Sequence, residues 1–225
     1  MSRKPLFLLS ILLLLLTGCH PNKTPAPSTP EQAVQGYLTA LISKDYRGAL
    51  QFYPSKQLEK NFNQTAYQDR IKAEGPLPDF SKMEFLFAYQ TGYLPLSFFA
   101  DELTLSPGTE IDAQWYEEFF ASPDMDRIKT LEILRIDAPY NQASQFGLQT
   151  KQAHASTANT WGAQGYTQRI ALSKFEGETY MLGFTLIQYD NIWWVMDSTC
   201  SLVNMPSIGG STQITEQDYL KWTQR

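Results

Sequence analysis

The sequence predicts an α+β domain in which N-terminal helices pack on a curved antiparallel sheet. Three observations carry this. A capping pattern opens residues 29–43, and apolar residues then recur every three to four positions. Three later segments, at 165–173, 179–189 and 192–198, alternate in the manner of strands and are joined by turn dipeptides. The helical patterns come first and the strands follow, an order that places helices on one face of an antiparallel sheet.

The chain has 225 residues and a net charge of −5. Residues 1–18 read as a secretory signal: Arg3 and Lys4, an apolar run from Leu6 to Leu16, then small residues. The run is shorter than the ~20 residues a spanning helix needs. Residues 19–28 form a tether with three prolines, extended at ~3.1 Å per residue and so reaching up to roughly 30 Å. The domain proper is expected over 29–200, with a tail over 201–225.

Thr29, Pro30 and Gln32 set out a capping box with Pro at the first helical position. Ala33, Val34, Tyr37, Leu38, Leu41 and Ile42 continue it as one stripe, so a helix is expected over 30–43. Asp45 is placed to cap a second helix bearing Tyr46, Ala49, Leu50 and Tyr53, which Pro54 ends. A third helix is expected over 56–73. Residues 75–125 are set apart by five prolines and many rings, and read as an aromatic-rich insertion or lid. Within them, 83–89 alternates as a strand would and 112–120 suits a short helix. A strand follows at 130–137, its apolar residues switching faces as at a bulge. Residues 139–156 are polar and read as a loop, which makes His154 a surface residue. The dipeptides Glu176-Gly177 and Asp190-Asn191 mark two hairpin turns. A short helix is expected over 216–222.

Composition excludes several functions. An acidic chain, made more acidic by losing Arg3 and Lys4, does not suit nucleic acid, which needs a basic surface. It also lacks a polybasic face for anionic lipid. With two Cys and two His, one of each lying in the tether, a metal site or a nucleophile–His pair has few residues to draw on. Glu117 and Glu118 are adjacent on a helix and point about 100° apart, so they do not converge on one ion. Asp124 and Asp126 lack a calcium-loop pattern and read as caps. No catalytic motif stands out, and no cofactor or metal is implied.

Cys19 directly after Leu16-Thr17-Gly18 resembles the lipobox of bacterial lipoproteins. That resemblance implies cleavage before Cys19, diacylation of its sulfur and a domain held at the extracytoplasmic face of the cell membrane. It would use one of the two thiols, preclude an internal disulfide and leave Cys200 as a small buried residue.

A second resemblance rests on the segment from Glu31 to Leu41, then Lys44-Asp45-Tyr46 through Ala49 to Tyr53, and on the closing hairpin with Asn191-Ile192-Trp193-Trp194-Val195-Met196-Asp197. These look like the opening helix pair and last hairpin of the NTF2-like superfamily. The resemblance implies a cone-shaped fold with an apolar pocket at its open end. Its candidate pocket residues are Tyr37, Tyr166, Trp193, Trp194, Asp137 and Asp197. An isomerase- or lyase-type member would need a carboxylate base in that pocket, from Asp137, Asp197, Asp101 or Glu102, with Tyr37 or Tyr166 as donor. The leading expectation is a lipid-anchored, non-enzymatic accessory module that binds a small apolar ligand or an envelope protein. The alternatives are the pocket-carboxylate enzyme and a structural or regulatory lipoprotein acting through a protein interface, with a homodimer through the sheet's outer face as one form of it.

Overall fold

The computed structural model describes residues 26–72, 76–99, 112–202 and 211–224. The signal, Cys19, Asp101 and Glu102 lie outside them. The described chain is α+β: helices packed against an open, antiparallel sheet of five strands.

Helix α1 (Pro30–Ile42) begins as the sequence dictates. Thr29 Oγ1 accepts from Gln32 N, and the Gln32 side chain accepts from the Thr29 N–H, which completes the capping box. Ala33, Val34, Tyr37, Leu38 and Leu41 are buried along one face. Asp45 Oδ1 accepts from Gly48 N at 2.8 Å and caps α2 (Tyr46–Leu50). The expected third helix is two. α3 (Ser55–Asn61) stops at Phe62, which is extended, and Asn63 caps α4 (Gln64–Ile71). Asn63 N also donates to Thr160 O, so the break is held by a tertiary bond.

Two other expectations are corrected. Residues 83–89 are helical, within α5 (Phe80–Phe99). Phe80, Met83, Phe87, Thr91, Leu94 and Phe98 recur at helical spacing and face the core. The apparent alternation arose because Phe85 and Tyr89 stack along the opposite side. Residues 139–156 hold the start of α7 (Gln145–Thr160), capped by Ser144 Oγ on Gly147 N. Its buried positions are Gly147, Ala158 and Thr160, with His154 half-buried, so the buried face has no hydrophobic stripe to read.

Between these, α6 (Ala113–Ala121) starts at Asp112, whose Oδ1 accepts from Trp115 N. Its Tyr116 ring lies against Gly92 of α5, where a Cβ would come within 2.0 Å. Tyr116 also stacks on Tyr46 of α2, so the rings of this region join the main core. A 3-10 turn (Pro123–Thr130) leads into the sheet, and Asp126 there pairs with Lys44 and Lys129.

The strands are β1 (Glu132–Asp137), β2 (Gly165–Phe175), β3 (Glu178–Tyr189), β4 (Ile192–Asp197) and β5 (Ser211–Gln213). They run in the order β1-β2-β3-β4, with β5 pairing the part of β3 that β4 leaves uncovered. Both hairpin turns have two residues at positive φ: Glu176 and Gly177, Asp190 and Asn191. Leu134 is the extra residue of a bulge in β1, and Met196 of one in β4. The inner face of the sheet carries Ala171, Leu182, Phe184 and Leu186 onto the helices. The outer face carries Ile170, Leu172 and Met181, which pack with Cys200 and with Tyr219 of α8 (Glu216–Thr223).

Arg169, 8% exposed, ties α1 to β2: its Nε donates to Glu31 Oε1 at 2.6 Å and its Nη1 to Gln168 O and Thr167 Oγ1. The outer edge of β4 is covered as well. Trp193 N donates to Pro27 O, Val195 N to Phe52 O and Ser198 N to Gln90 Oε1. These bonds occupy an edge that could otherwise pair with another chain.

Candidate functional site

The end of β4, the middle of α5 and the start of β2 form a half-open cavity of about 150 Å³. Its walls are Tyr53, Met83, Leu86, Phe87, Gln90, Tyr166, Thr185, Met196 and Asp197. Each element contributes for a local reason. Met83, Leu86, Phe87 and Gln90 lie three to four residues apart, on one side of α5. Tyr53 follows α2 and stacks on Phe87, with centroids 4.5 Å apart and planes at 17°. Tyr166 and Thr185 come from the outer face of β2 and β3. The bulge at Met196 puts Val195 opposite Leu186 and Asp197 opposite Thr185, so two successive residues of β4 reach the cavity.

Among the described residues, Asp197 is the only charged one lining the cavity. Its Oδ1 accepts from Thr199 Oγ1 at 2.8 Å, and Thr185 Oγ1 donates to Thr199 O at 2.9 Å, which fixes the turn after β4. Burial pushes the Asp197 carboxyl above the usual carboxylate range, against the opposing pull of hydrogen bonds from Thr199 and Gln90. Burial also pushes up the phenols of Tyr53 and Tyr166. The result is an apolar chamber with one carboxyl, two phenols, one amide and one hydroxyl. Such a set can orient a small molecule by hydrogen bonds, hold a positive charge or accept a proton.

Of the six candidate pocket residues, Tyr166 and Asp197 line this cavity and four do not. Tyr37 is wholly buried in the core, its hydroxyl donating to Thr91 Oγ1 at 3.1 Å. Its ring packs on Phe184 of the sheet and on the Phe87 ring, and it does not line the cavity. Asp137 sits at the end of β1, where Arg135 Nε lies 2.5 Å from Oδ2 and Tyr219 donates to the same oxygen at 3.0 Å. Burial would raise that carboxyl, but Arg135 and Tyr219 outweigh it and hold it below the usual range. Trp193 and Trp194 are both half-buried and both pack against the core; the Trp193 ring meets Gly165. Neither reaches the cavity.

His154 is half-buried on α7, its ring 5.3 Å from that of Tyr166 and its Nδ1 3.5 Å from the Tyr140 hydroxyl. Burial and the charge of Arg169 lower its proton affinity. It stands behind Tyr166 and does not line the cavity. Tyr53, Phe87, Gln90, Thr185 and Met196 are wall residues that sequence reasoning did not assign to the site. Only the helical spacing of 83, 87 and 90 could have pointed to part of this set. A second, polar groove of about 480 Å³ lies between α4 and α7, lined by Asn63, Thr65, Asp69, Arg70, Ser156 and Asn159 among others. It is larger, but its one acid and one base are both exposed and bring no chemistry together.

Among the described residues, no group of three His, Cys, Asp or Glu side chains converges as metal ligands would, and no helix is long and apolar enough to cross a membrane. No family model matches the chain, and no curated protein matches it. Among solved structures it is similar to a cystatin-like protein from Ruminococcus gnavus ATCC 29149, with 19% sequence identity and a TM-score of 0.49. That match covers 81% of this chain and 44% of the other, so the chain spans under half the length of that structure.

Proposed function

We propose that this protein is a lipid-anchored extracytoplasmic lipoprotein whose NTF2-like domain binds a small ligand in the Asp197 cavity as an accessory module. The observation that carries the binding reading is that cavity: a lone carboxyl, with Gln90, Thr185 and Tyr166, set into walls of Tyr53, Phe87, Met83 and Met196. The anchor rests on Leu16-Thr17-Gly18-Cys19 and the prolines after it. The NTF2-like assignment draws support from a capped helix pair leading into an antiparallel sheet that closes with a Trp-rich strand.

The cavity is tested by native mass spectrometry of the detergent-solubilised protein. A bound small molecule in the wild type that is absent from Asp197→Ala supports the reading. A ligand held equally by both forms refutes it. The anchor is tested by Cys19→Ser, which is expected to release the protein from membranes and abolish lipid labelling. Continued membrane retention without a labelled Cys19 would sink that part.

One observation favours a second reading, an isomerase- or lyase-type enzyme. Asp197 has raised proton affinity and shares its chamber with Tyr166, the pairing that proton abstraction beside a carbonyl requires. Hydrogen–deuterium exchange at the α-carbon of cyclohexanone in D2O tests it. Exchange catalysed by the wild type and lost in Asp197→Asn would support catalysis; exchange no faster than buffer would dismiss it for this carbonyl class.

A further inference from the structure

Asp197 differs from the other half-buried carboxylates in what surrounds it. Asp137 is paired with Arg135. Glu31, though more exposed, is also paired, with the buried Arg169. Asp197 has no such partner among the described residues, and no Lys, Arg or His lines its cavity. Its neighbours there are neutral: the rings and thioethers of Tyr53, Phe87, Tyr166, Met83 and Met196, with the Gln90 amide and the Thr185 hydroxyl, while Thr199 and Gln90 supply neutral hydrogen bonds. Glu84, on α5, adds a second negative charge close enough to act on Tyr53.

A carboxylate partly withdrawn from water without a counter-charge is costly in proportion to its burial. An anionic ligand would meet both Asp197 and the field of Glu84. A neutral ligand would displace water and leave the carboxylate uncompensated. A cation supplies the missing charge, and the electron-rich faces of aromatic rings attract it as well. At about 150 Å³, the cavity admits a molecule about the size of benzene. The occupant is therefore organic and compact, and the thioethers and the Tyr53–Phe87 stack would cover its carbon part.

We infer that the Asp197 cavity takes a small organic ammonium ion, with its nitrogen on the Asp197 carboxylate and its hydrocarbon against Tyr53, Phe87 and Met196. This inference rests on the reading of the cavity as a ligand site and specifies the ligand's charge. Binding is non-covalent and leaves the bonds of both partners unchanged.

Two probes of matched shape separate the two claims: cyclohexylammonium and its neutral isostere, cyclohexanol. Both are titrated calorimetrically at neutral pH into the full chain in non-ionic detergent, with empty micelles as the blank. The expected result is at least tenfold tighter binding of cyclohexylammonium to the wild type, and a preference that disappears in Asp197→Asn. If cyclohexanol binds as tightly as the ammonium or more so, the charge inference is overturned and the ligand cavity stands. If neither binds, both are overturned. The wild-type comparison does not depend on the variant's folding. A second variant, Phe87→Leu, removes one ring face and is expected to weaken the ammonium at least threefold while changing cyclohexanol little; equal weakening of both would count against the cation.

Discussion

Truncating Phe87 to Ala tests whether the cavity wall is also part of the core. Phe87 is 2% exposed, stacks on Tyr53 at 4.5 Å and lies 5.8 Å from the Tyr37 ring. Removing a buried Phe costs about 3–5 kcal/mol, the sum of lost transfer energy and the void left behind. Two features put this site in the upper part of that range. Both ring contacts are lost, each worth about 0.5–1.5 kcal/mol beyond area burial. The void would also open into an existing cavity whose walls are held by α5 and the sheet, so collapse is limited. For a chain of this size each kcal/mol lowers Tm by about 2–4 °C, so a cost of about 4–5 kcal/mol gives a fall of about 8–20 °C. Circular dichroism at 222 nm on wild type and variant measures it, and Phe87→Leu should fall by less than half as much. A loss under about 4 °C would show that the α5 wall does not bear on the core, and would refute this account of how the cavity is shaped.

Asp197→Asn should become more stable relative to the wild type as pH rises from about 4 to 7. The raised carboxyl binds its proton more tightly in the folded state than in the unfolded chain, where Asp titrates near about 3.9. Ionisation therefore costs the wild type stability above the unfolded value, and the variant escapes that cost. A Tm difference that stays flat or reverses between pH 4 and 7 contradicts the assignment. Tyr37→Phe removes the hydroxyl that donates to Thr91, which is itself 0% exposed, and should cost about 1–3 kcal/mol in urea unfolding with m unchanged; a cost near zero would mean that Thr91 finds another partner. Gly162→Ala should destabilise by at least about 1–3 kcal/mol, because the residue has φ +59° and a Cβ would meet Asn61 O at 1.8 Å. An unchanged Tm there would show that the α3–α7 junction can give way to accommodate a methyl group.

Much of the fold was legible where the chain carries strong local signals. The capping box at Thr29 and Gln32, the Asp45 cap, the paired turn residues at 176–177 and 190–191, and the bulge in β1 act over a few residues, so the sequence displays them directly. Helix α7 shows the opposite case. Its buried side is Gly147, Ala158 and Thr160, and its first-turn Phe146 and Leu148 are exposed, at 59% and 55%. Hydropathy there points the wrong way, because small residues are buried by the close approach of β2 and α4, not by their own apolarity. Helix α5 imitates a strand for a related reason: over seven residues, rings on two sides of a helix mimic the alternation of a strand, and only the longer span to Phe98 restores the helical period.

The site divides along the same line. From the sequence alone come the acidic charge, the scarcity of His and Cys, the lipobox-like Cys19, and a carboxylate at the end of a Trp-rich strand. Those follow from composition and from neighbours in the chain. Which carboxylate enters a cavity was decided only in three dimensions. Asp137 and Asp197 both end strands, and the local difference between them is Arg135, two residues before Asp137 on β1. Arg135 on the same strand and Tyr219 from α8 claim the first, whereas the Met196 bulge turns the second toward α5. A side chain's partners come from distant parts of the chain, and a one-residue bulge re-aims the end of a strand. For that reason the charge left without a counter-ion became visible only once the helices and the sheet had closed around it.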